Sequence, residues 1–258
     1  MHNPFDVLLL LQERQFKPFW FESATPTFLI QELGKRQVNT LDLAALHSDQ
    51  DLLGHFDIDA IGTEALLFQT GYLTIAAVDE PIPGIWEYTL SYPNVEVEVS
   101  LNKALLPTQG FSISAVTKTR STLLKALKTC DFELLTAHLK ALYASIPHDW
   151  YRNNPINNYE GHYASIFYSH FAALGLHVNV EEASLNGKVD MAIQFNNTTF
   201  IFEFKVIEDK PLGNALAQIK ANNYAQKHVR EGWAIYGVGV EFSKAQRQVV
   251  NLESECLS

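Results

Sequence analysis

Apolar positions along the chain change their period more than once, and those changes divide it. Within residues 4–36 the spacing is helical: NPFDVLLLLQER opens on Asn-Pro, and TPTFLIQELGKR opens on Thr-Pro and ends in basic residues. EALLFQTG, from Glu64, predicts a helix closing on Gly71, and YLTIAAV and IWEYTLSY read as two strands joined through DEPIPG. From Thr119 to Ser145 the apolar residues return to helical spacing and predict one long helix. IPHDWYRNNPINNY follows, rich in Pro and Asn and without periodicity, so the expected domain boundary falls near residue 150.

Beyond that boundary the pattern is mixed. YEGHYASIFYSHFAALG predicts a helix with Tyr163, Ile166, Phe167, Phe171 and Leu174 on one face and Gly175 as its stop. LHVNVEE, KVDMAIQF and TTFIFEFKVI read as three strands, and PLGNALAQIKANNYAQKHVREG as a helix from Pro211 to Gly232. WAIYGVGVEF is a fourth strand, and KAQRQVV is expected to close the fold as a short helix. The order α-β-β-β-α-β describes a meander followed by a crossover helix, with helices covering both faces of one central mixed sheet. Upstream, the helix before the Tyr72–Tyr92 hairpin resembles the recognition helix and wing of a winged-helix module. The fold class is therefore α+β or α/β: an α-rich, winged-helix-like domain over residues 1–150, then an αβββαβ core over 151–258.

The segment Lys188–Lys205, KVDMAIQFNNTTFIFEFK, sets acids and a base where buried strands want apolar residues. Asn196-Asn197 suits a two-residue hairpin turn, because Asn tolerates the positive φ such turns need. That turn pairs Phe195 with Thr198, Ile193 with Phe200 and Met191 with Phe202, and so sets Asp190 opposite Glu203. Every residue of both strands then sorts to a consistent face. Directly opposed carboxylates have Cβ atoms about 5 Å apart and repel. A divalent cation offsets that repulsion, and so would an ion-paired patch in which Lys188 and Lys205 neutralise the acids. These residues alone leave both readings open.

Charge and composition narrow the function classes. The 258-residue chain carries a formal net charge of −10, and Gln37–Asn102 contains no lysine or arginine but eleven acids. Such a stretch repels phosphate, so the winged-helix-like region is expected to face protein rather than DNA. Two distant cysteines, Cys130 and Cys256, suit a reducing cytoplasm and exclude a thiolate zinc site. The N-terminal apolar run is too short to span a bilayer, so no membrane association is expected. No HExxH, GxSxG or dinucleotide-type glycine pattern occurs, and the nine histidines show no paired ligand spacing.

Val189-Asp190 followed by Glu203-Phe204-Lys205, in an α-β-β-β-α-β order, resembles the PD-(D/E)XK nuclease superfamily. With Glu160, Tyr163, the Gly187–Asp190 run, FIFEFK and Gln218-Ile219-Lys220, the likeness extends to the nuclease domain at the C-terminus of AAA-ATPase-like proteins. NPFDVLLLLQERQFKPFWFESATPTFLI and LSYPNVEVEVSL resemble the end of their ATPase-like region, but no P-loop is present, so no ATP site is expected. The resemblance implies that Asp190 and Glu203 hold Mg²⁺ or Mn²⁺, with the Phe204 carbonyl and Glu160 as further ligands. It implies that Lys205 positions the hydrolytic water, that Gln218 contacts Lys205 or substrate, and that Lys188, Lys220 and Tyr224 meet phosphate. The expected function is metal-dependent phosphodiester hydrolysis, of DNA or else RNA. The alternative is a silent nuclease-fold module that docks protein or nucleic acid, with the acidic N-terminal domain facing a protein partner.

Overall fold

The computed structural model describes residues 4–15, 27–36, 38–44, 46–49, 53–54, 61–109, 113–145, 160–181, 190–208, 211–246 and 248–258. They fall into two compact units, Met1–Thr108 and Gln109–Ser258.

In the first unit, α1 (Pro4–Glu13) and α2 (Thr27–Lys35) form where the periodicity placed them. Strand β1 (Leu46–Asp49), α3 (Thr63–Gln69), β2 (Thr74–Ile82), β3 (Ile85–Ser91) and α4 (Val95–Leu105) follow. β3 is the middle strand of a three-stranded antiparallel sheet ordered β1-β3-β2. The sequence reading missed β1, a strand too short for its alternation to show. The hairpin turns at Pro83-Gly84, where Gly84 takes φ +85°, so most of DEPIPG belongs to the strand. Leu33, Leu43, Leu67, Leu90, Val97 and Leu101 build the core beneath the sheet, while β2 is exposed along its length.

The second unit holds α5 (Ile113–Thr129), α6 (Phe132–Ala144), α7 (Glu160–Ala173), β4 (Val178–Glu181), β5 (Asp190–Phe195), β6 (Thr198–Ile207), α8 (Asn214–Ala221), β7 (Ala234–Ser243) and β8 (Gln248–Cys256). The five strands lie in sequence order, β6 and β7 parallel and every other pair antiparallel. Three expectations are corrected here. The helix expected over 119–145 is two helices, because Cys130 takes a left-handed φ of +50° and Asp131 caps α6, accepting from Leu134 N at 2.9 Å. The helix expected over 211–232 ends at Ala221, where Asn222 and left-handed Asn223 (φ +54°) turn the chain into a 3₁₀ segment, Tyr224–His228. The closing helix is instead β8: Lys244–Gln246 make the turn, and QVVNLESEC pairs antiparallel with β7.

The sheet has two unlike faces. Phe200, Phe202, Phe204, Val238, Val240 and Phe242 point to one, where Phe167 and Phe171 of α7 meet Phe202 and Phe204 in tilted and edge-on contacts at centroid distances of 4.7 to 6.2 Å. α6 closes that layer: Tyr143 packs edge-on against Phe242 at 4.7 Å and donates to the Tyr163 carbonyl at 2.7 Å. α7 therefore buries every side of itself from Tyr163 to Leu174 rather than the single expected stripe. This packing groups α5 and α6 with the residues beyond 150, whereas the sequence boundary at 150 set them with the N-terminal half; residues 146–159 themselves lie outside the described residues. α8 covers the other face, and there the sheet carries its polar residues.

Candidate active site

The hairpin β5–β6 sets the geometry. Asn196 and Asn197 take φ of +52° and +58°, the pair of positive values a type I′ turn requires. The register follows: Phe195 opposite Thr198, Ile193 opposite Phe200, Met191 opposite Phe202 and Asp190 opposite Glu203. The neighbouring ladder adds a residue that the sequence reading overlooked, since Glu181 of β4 is paired with Asp190. On the far side, Glu203 is paired with Gly239 of β7, and Gly239 with Glu253 of β8. One row across the sheet thus reads Glu181, Asp190, Glu203, Gly239, Glu253. LHVNVEE reads as a strand, and the antiparallel register carried one strand further reaches Glu181.

Glu203 is wholly buried, and the Lys205 ammonium lies 3.3 Å from its Oε1 with 19 % of the lysine side chain exposed. A carboxylate taken out of water costs several kcal/mol unless compensated, so the lysine two residues along the same face is part of what holds Glu203 there. Phe204, between them, turns its ring to the aromatic face, stacking near Phe202 and Phe242 at 6.3 and 6.0 Å. Its candidate contribution is confined to its backbone carbonyl.

The next row explains how α8 is held over this face. Lys205 is paired with Glu241 of β7, and Glu241 with Asn251 of β8. The buried Glu241 carboxylate accepts from Leu212 N and Asn214 N, both at 3.0 Å, and from Asn251 Nδ2 at 3.4 Å. It therefore ties down the start of α8 from within the sheet. Further along, the helix backbone lies directly on Gly239: a Cβ there would meet Leu216 N at 2.4 Å. The Gly-Val-Gly of β7, which lacks a dinucleotide-binding pattern, is the seat for α8. Glu241 was missed too, although its parity with Gly237 and Gly239 on a strand beside Glu203 was readable.

Among the expected site residues, Glu203 and Lys205 touch, Asp190 faces Glu203 in register, and Gln218 rides on the helix seated beside them. Gln218 Nε2 is buried and has no hydrogen-bond partner among the described residues. Lys220 is turned to the sheet edge, where Glu255 accepts from it at 2.9 and 3.1 Å. The Tyr224 hydroxyl accepts from Asn222 Nδ2 at 2.7 Å, and its ring joins Ile201, Ile219 and Ile235. Glu160 opens α7, in the layer on the aromatic face, so its helix does not share the face of the acid row. Lys188 lies outside the described residues. No cluster of three or more His, Cys, Asp or Glu side chains able to hold a metal occurs among the described residues, which do not include the side chains of Glu181 and Asp190.

Residues 158–252 match the family model of the PD-(D/E)XK nuclease superfamily, and the mixed five-stranded sheet flanked by helices is consistent with that fold. The chain is also similar to the "Uncharacterized protein in vnfD 5'region" of Azotobacter chroococcum mcd 1, with 48 % identity over 257 residues. All of this chain is covered but only 50 % of the relative, so the chain spans about half the length of the curated relative it matches. No solved structure gives a significant match.

Proposed function

We propose that this chain is a divalent-metal-dependent nuclease that hydrolyses phosphodiester bonds of DNA at the acid row of β5 and β6. The observation that supports it most is the pairing of Asp190 with the wholly buried Glu203, with the Lys205 ammonium 3.3 Å from that carboxylate. Two opposed acids are destabilising by themselves, and a hard cation with oxygen ligands is the compensation they fit. Asp190, Glu203 and the Phe204 carbonyl would hold Mg²⁺ or Mn²⁺, with Glu181 supplying a further acid by register and Glu160 a more distant one. Such a cation supplies Lewis-acid activation of phosphate and a more acidic bound water.

The remaining chemistry falls to the chain. Lys205 would hold and orient the attacking water and offset charge growing on the phosphate oxygens. Gln218, whose buried Nε2 is a donor, would reach a phosphate oxygen or the site carboxylates. Lys188 would meet the substrate backbone. Lys220 and Tyr224 could join only by giving up their present partners, Glu255 and Asn222. The cytoplasmic setting and the link to an ATPase-like half belong to the same reading; the greater length of the relative leaves room for such a half.

Incubation of the purified chain with plasmid, single-stranded DNA and RNA in Mg²⁺ or Mn²⁺ tests this. Cleavage is expected with metal and absent from Asp190→Asn; metal-independent cleavage by Asp190→Asn would overturn it. The acid-only stretch Gln37–Asn102 favours a second reading, a docking module with a basic protein partner. Metal binding without cleavage of any substrate would favour that reading.

A further inference from the structure

Charge is divided unevenly between the two compact units. Met1–Thr108 carries five lysines and arginines against fifteen acids, a balance of −10, whereas Gln109–Ser258 carries fourteen of each. The whole net charge of the chain therefore belongs to the first unit. Its sheet runs β1-β3-β2, so among the described residues β2 is an edge strand with no strand on its outer side. Every residue of it, Thr74–Ile82, is exposed. An edge of this kind is a template for another strand, and native proteins blunt such edges with lysine, proline or an inward-pointing charge. β2 has no lysine, and its proline, Pro81, stands near the far end, which leaves residues 74–80 open to pairing.

The two sides of the β2–β3 hairpin differ. Leu90 of β3 is wholly buried, and Leu46 and Ile75 lie in register with it. Tyr88, on the same side, is paired with the buried Ser48 of β1 and with Val78 of β2, and Trp86 shares its parity. Ile75, Val78 and Trp86 thus stand on the side of the sheet that faces the core, yet they are 38, 49 and 41 % exposed. The core ends before the strands do. On the other side Asp49, Glu87 and Asp79 form one row across the three strands. Directly opposed like charges repel, and residues 37–102 contain no lysine or arginine.

We propose that β2 is a docking edge for an extended basic segment of a partner protein, which adds to the sheet with apolar side chains beside Ile75 and Val78 and lysine or arginine beside Asp79. Main-chain hydrogen bonds along the open edge supply affinity, and the alternation of side chains supplies specificity. Charge selects this occupant. Nucleic acid and anionic membrane surfaces are repelled by a unit with a balance of −10. A second copy of the chain, pairing β2 with β2, brings together two strands that each carry Asp79 and Glu80. A cationic strand meets attraction on the acid side and covers apolar surface on the core side. The edge gives the docking reading above a binding place and rests on that reading only for the sign of the partner's charge. It stands whether or not the acid row of β5 and β6 cleaves DNA.

The probe is a short synthetic peptide alternating lysine with valine, labelled and titrated with the full chain by fluorescence anisotropy. Saturable binding that weakens as salt rises is expected, with none for a peptide alternating glutamate with valine. Val78→Glu adds an acid but removes the apolar contact. It should weaken binding by about tenfold, where charge attraction alone would tighten it. Val78 is half exposed, so its replacement leaves the core intact, and cleavage assays of this variant should match the wild type. Docking and nuclease activity are thus read separately. Peptides N-methylated at alternate amides distinguish the two edges of the added strand: methyls on one edge should abolish binding, and methyls on the other should leave it. Absence of saturable binding, undiminished affinity of Val78→Glu, equal effects of the two N-methylated peptides, or self-association of the chain that Val78→Glu abolishes would overturn the proposal.

Discussion

Gly239→Ala is the sharpest test of how the candidate site is assembled. The added methyl would lie 2.4 Å from Leu216 N and 3.0 Å from both Ala215 C and Ala215 Cβ. An ordinary contact of that kind is about 3.5 Å or more, so α8 or β7 must give way by about 1 Å, and both are backbone. Forced displacements of this kind cost about 1–3 kcal/mol. Gly237→Ala is the built-in control. Its Cβ meets Leu257 Cδ1 at 3.0 Å, Leu216 Cδ1 at 3.2 Å and Ile219 Cγ2 at 3.3 Å, all ends of side chains that can turn. Denaturant unfolding of the three proteins should rank Gly239→Ala clearly below Gly237→Ala, with the wild type above both. Cleavage activity should follow the same order, because α8 carries Gln218. Equal stability for the two variants, or a neutral Gly239→Ala, would refute the claim that this glycine is the seat of the helix.

Other outcomes follow from the same structure. Lys205→Met should destabilise the fold by about 3 kcal/mol, since it removes a cation 3.3 Å from a wholly buried carboxylate, and Glu203→Gln in the same background should recover part of that loss; chemical denaturation of the pair measures the coupling. Mg²⁺ at millimolar concentration should raise the thermal midpoint of the wild type and leave that of Asp190→Ala unmoved. His138 and His170 meet through their Nε2 atoms at 3.0 Å, and burial lowers their pKa values to about 4 and about 3, with His138 adding a smaller repulsion on His170. Both values lie below the unfolded value of 6.5, so the unfolded chain binds the extra protons. Stability is therefore full above pH 6.5 and falls as the pH drops towards 4, by about 3 kcal/mol counting His138 alone. Unfolding curves of wild type and His138→Leu/His170→Leu should lie closest at pH 7 and separate towards pH 4, because only the wild type loses this contribution on acidification.

What the sequence disclosed and what it hid divide along physical lines. The β5–β6 hairpin was legible because a two-residue Asn-Asn turn leaves one register that gathers the aromatic residues on one face and the acids and lysine on the other. The helices flanking the sheet were legible from their period, but their ends were not. Cys130 and Asn223 break helical runs by taking left-handed φ, and nothing in an apolar stripe reports that. β8 was misread because KAQRQVV carries good helix formers at one end and β-branched valines at the other. Its pairing with β7 and the burial of Val249 decide the matter, and both are tertiary.

The same division explains the site. Residues that would do chemistry announce themselves in sequence, because Asp190, Glu203 and Lys205 violate the pattern of the strands that carry them. Residues that position them do not. Glu241 anchors the start of α8, and Gly239 leaves room for its backbone, yet each reads as an unremarked position in WAIYGVGVEF. Both nevertheless sit on the register of β6, Gly239 opposite Glu203 and Glu241 opposite Lys205. The acid and base on β6 thus have, at the same levels of β7, the gap into which α8 descends and the carboxylate that holds its first turn. The placement of Gln218 depends on that pairing, and a one-residue slip between β6 and β7 would remove it.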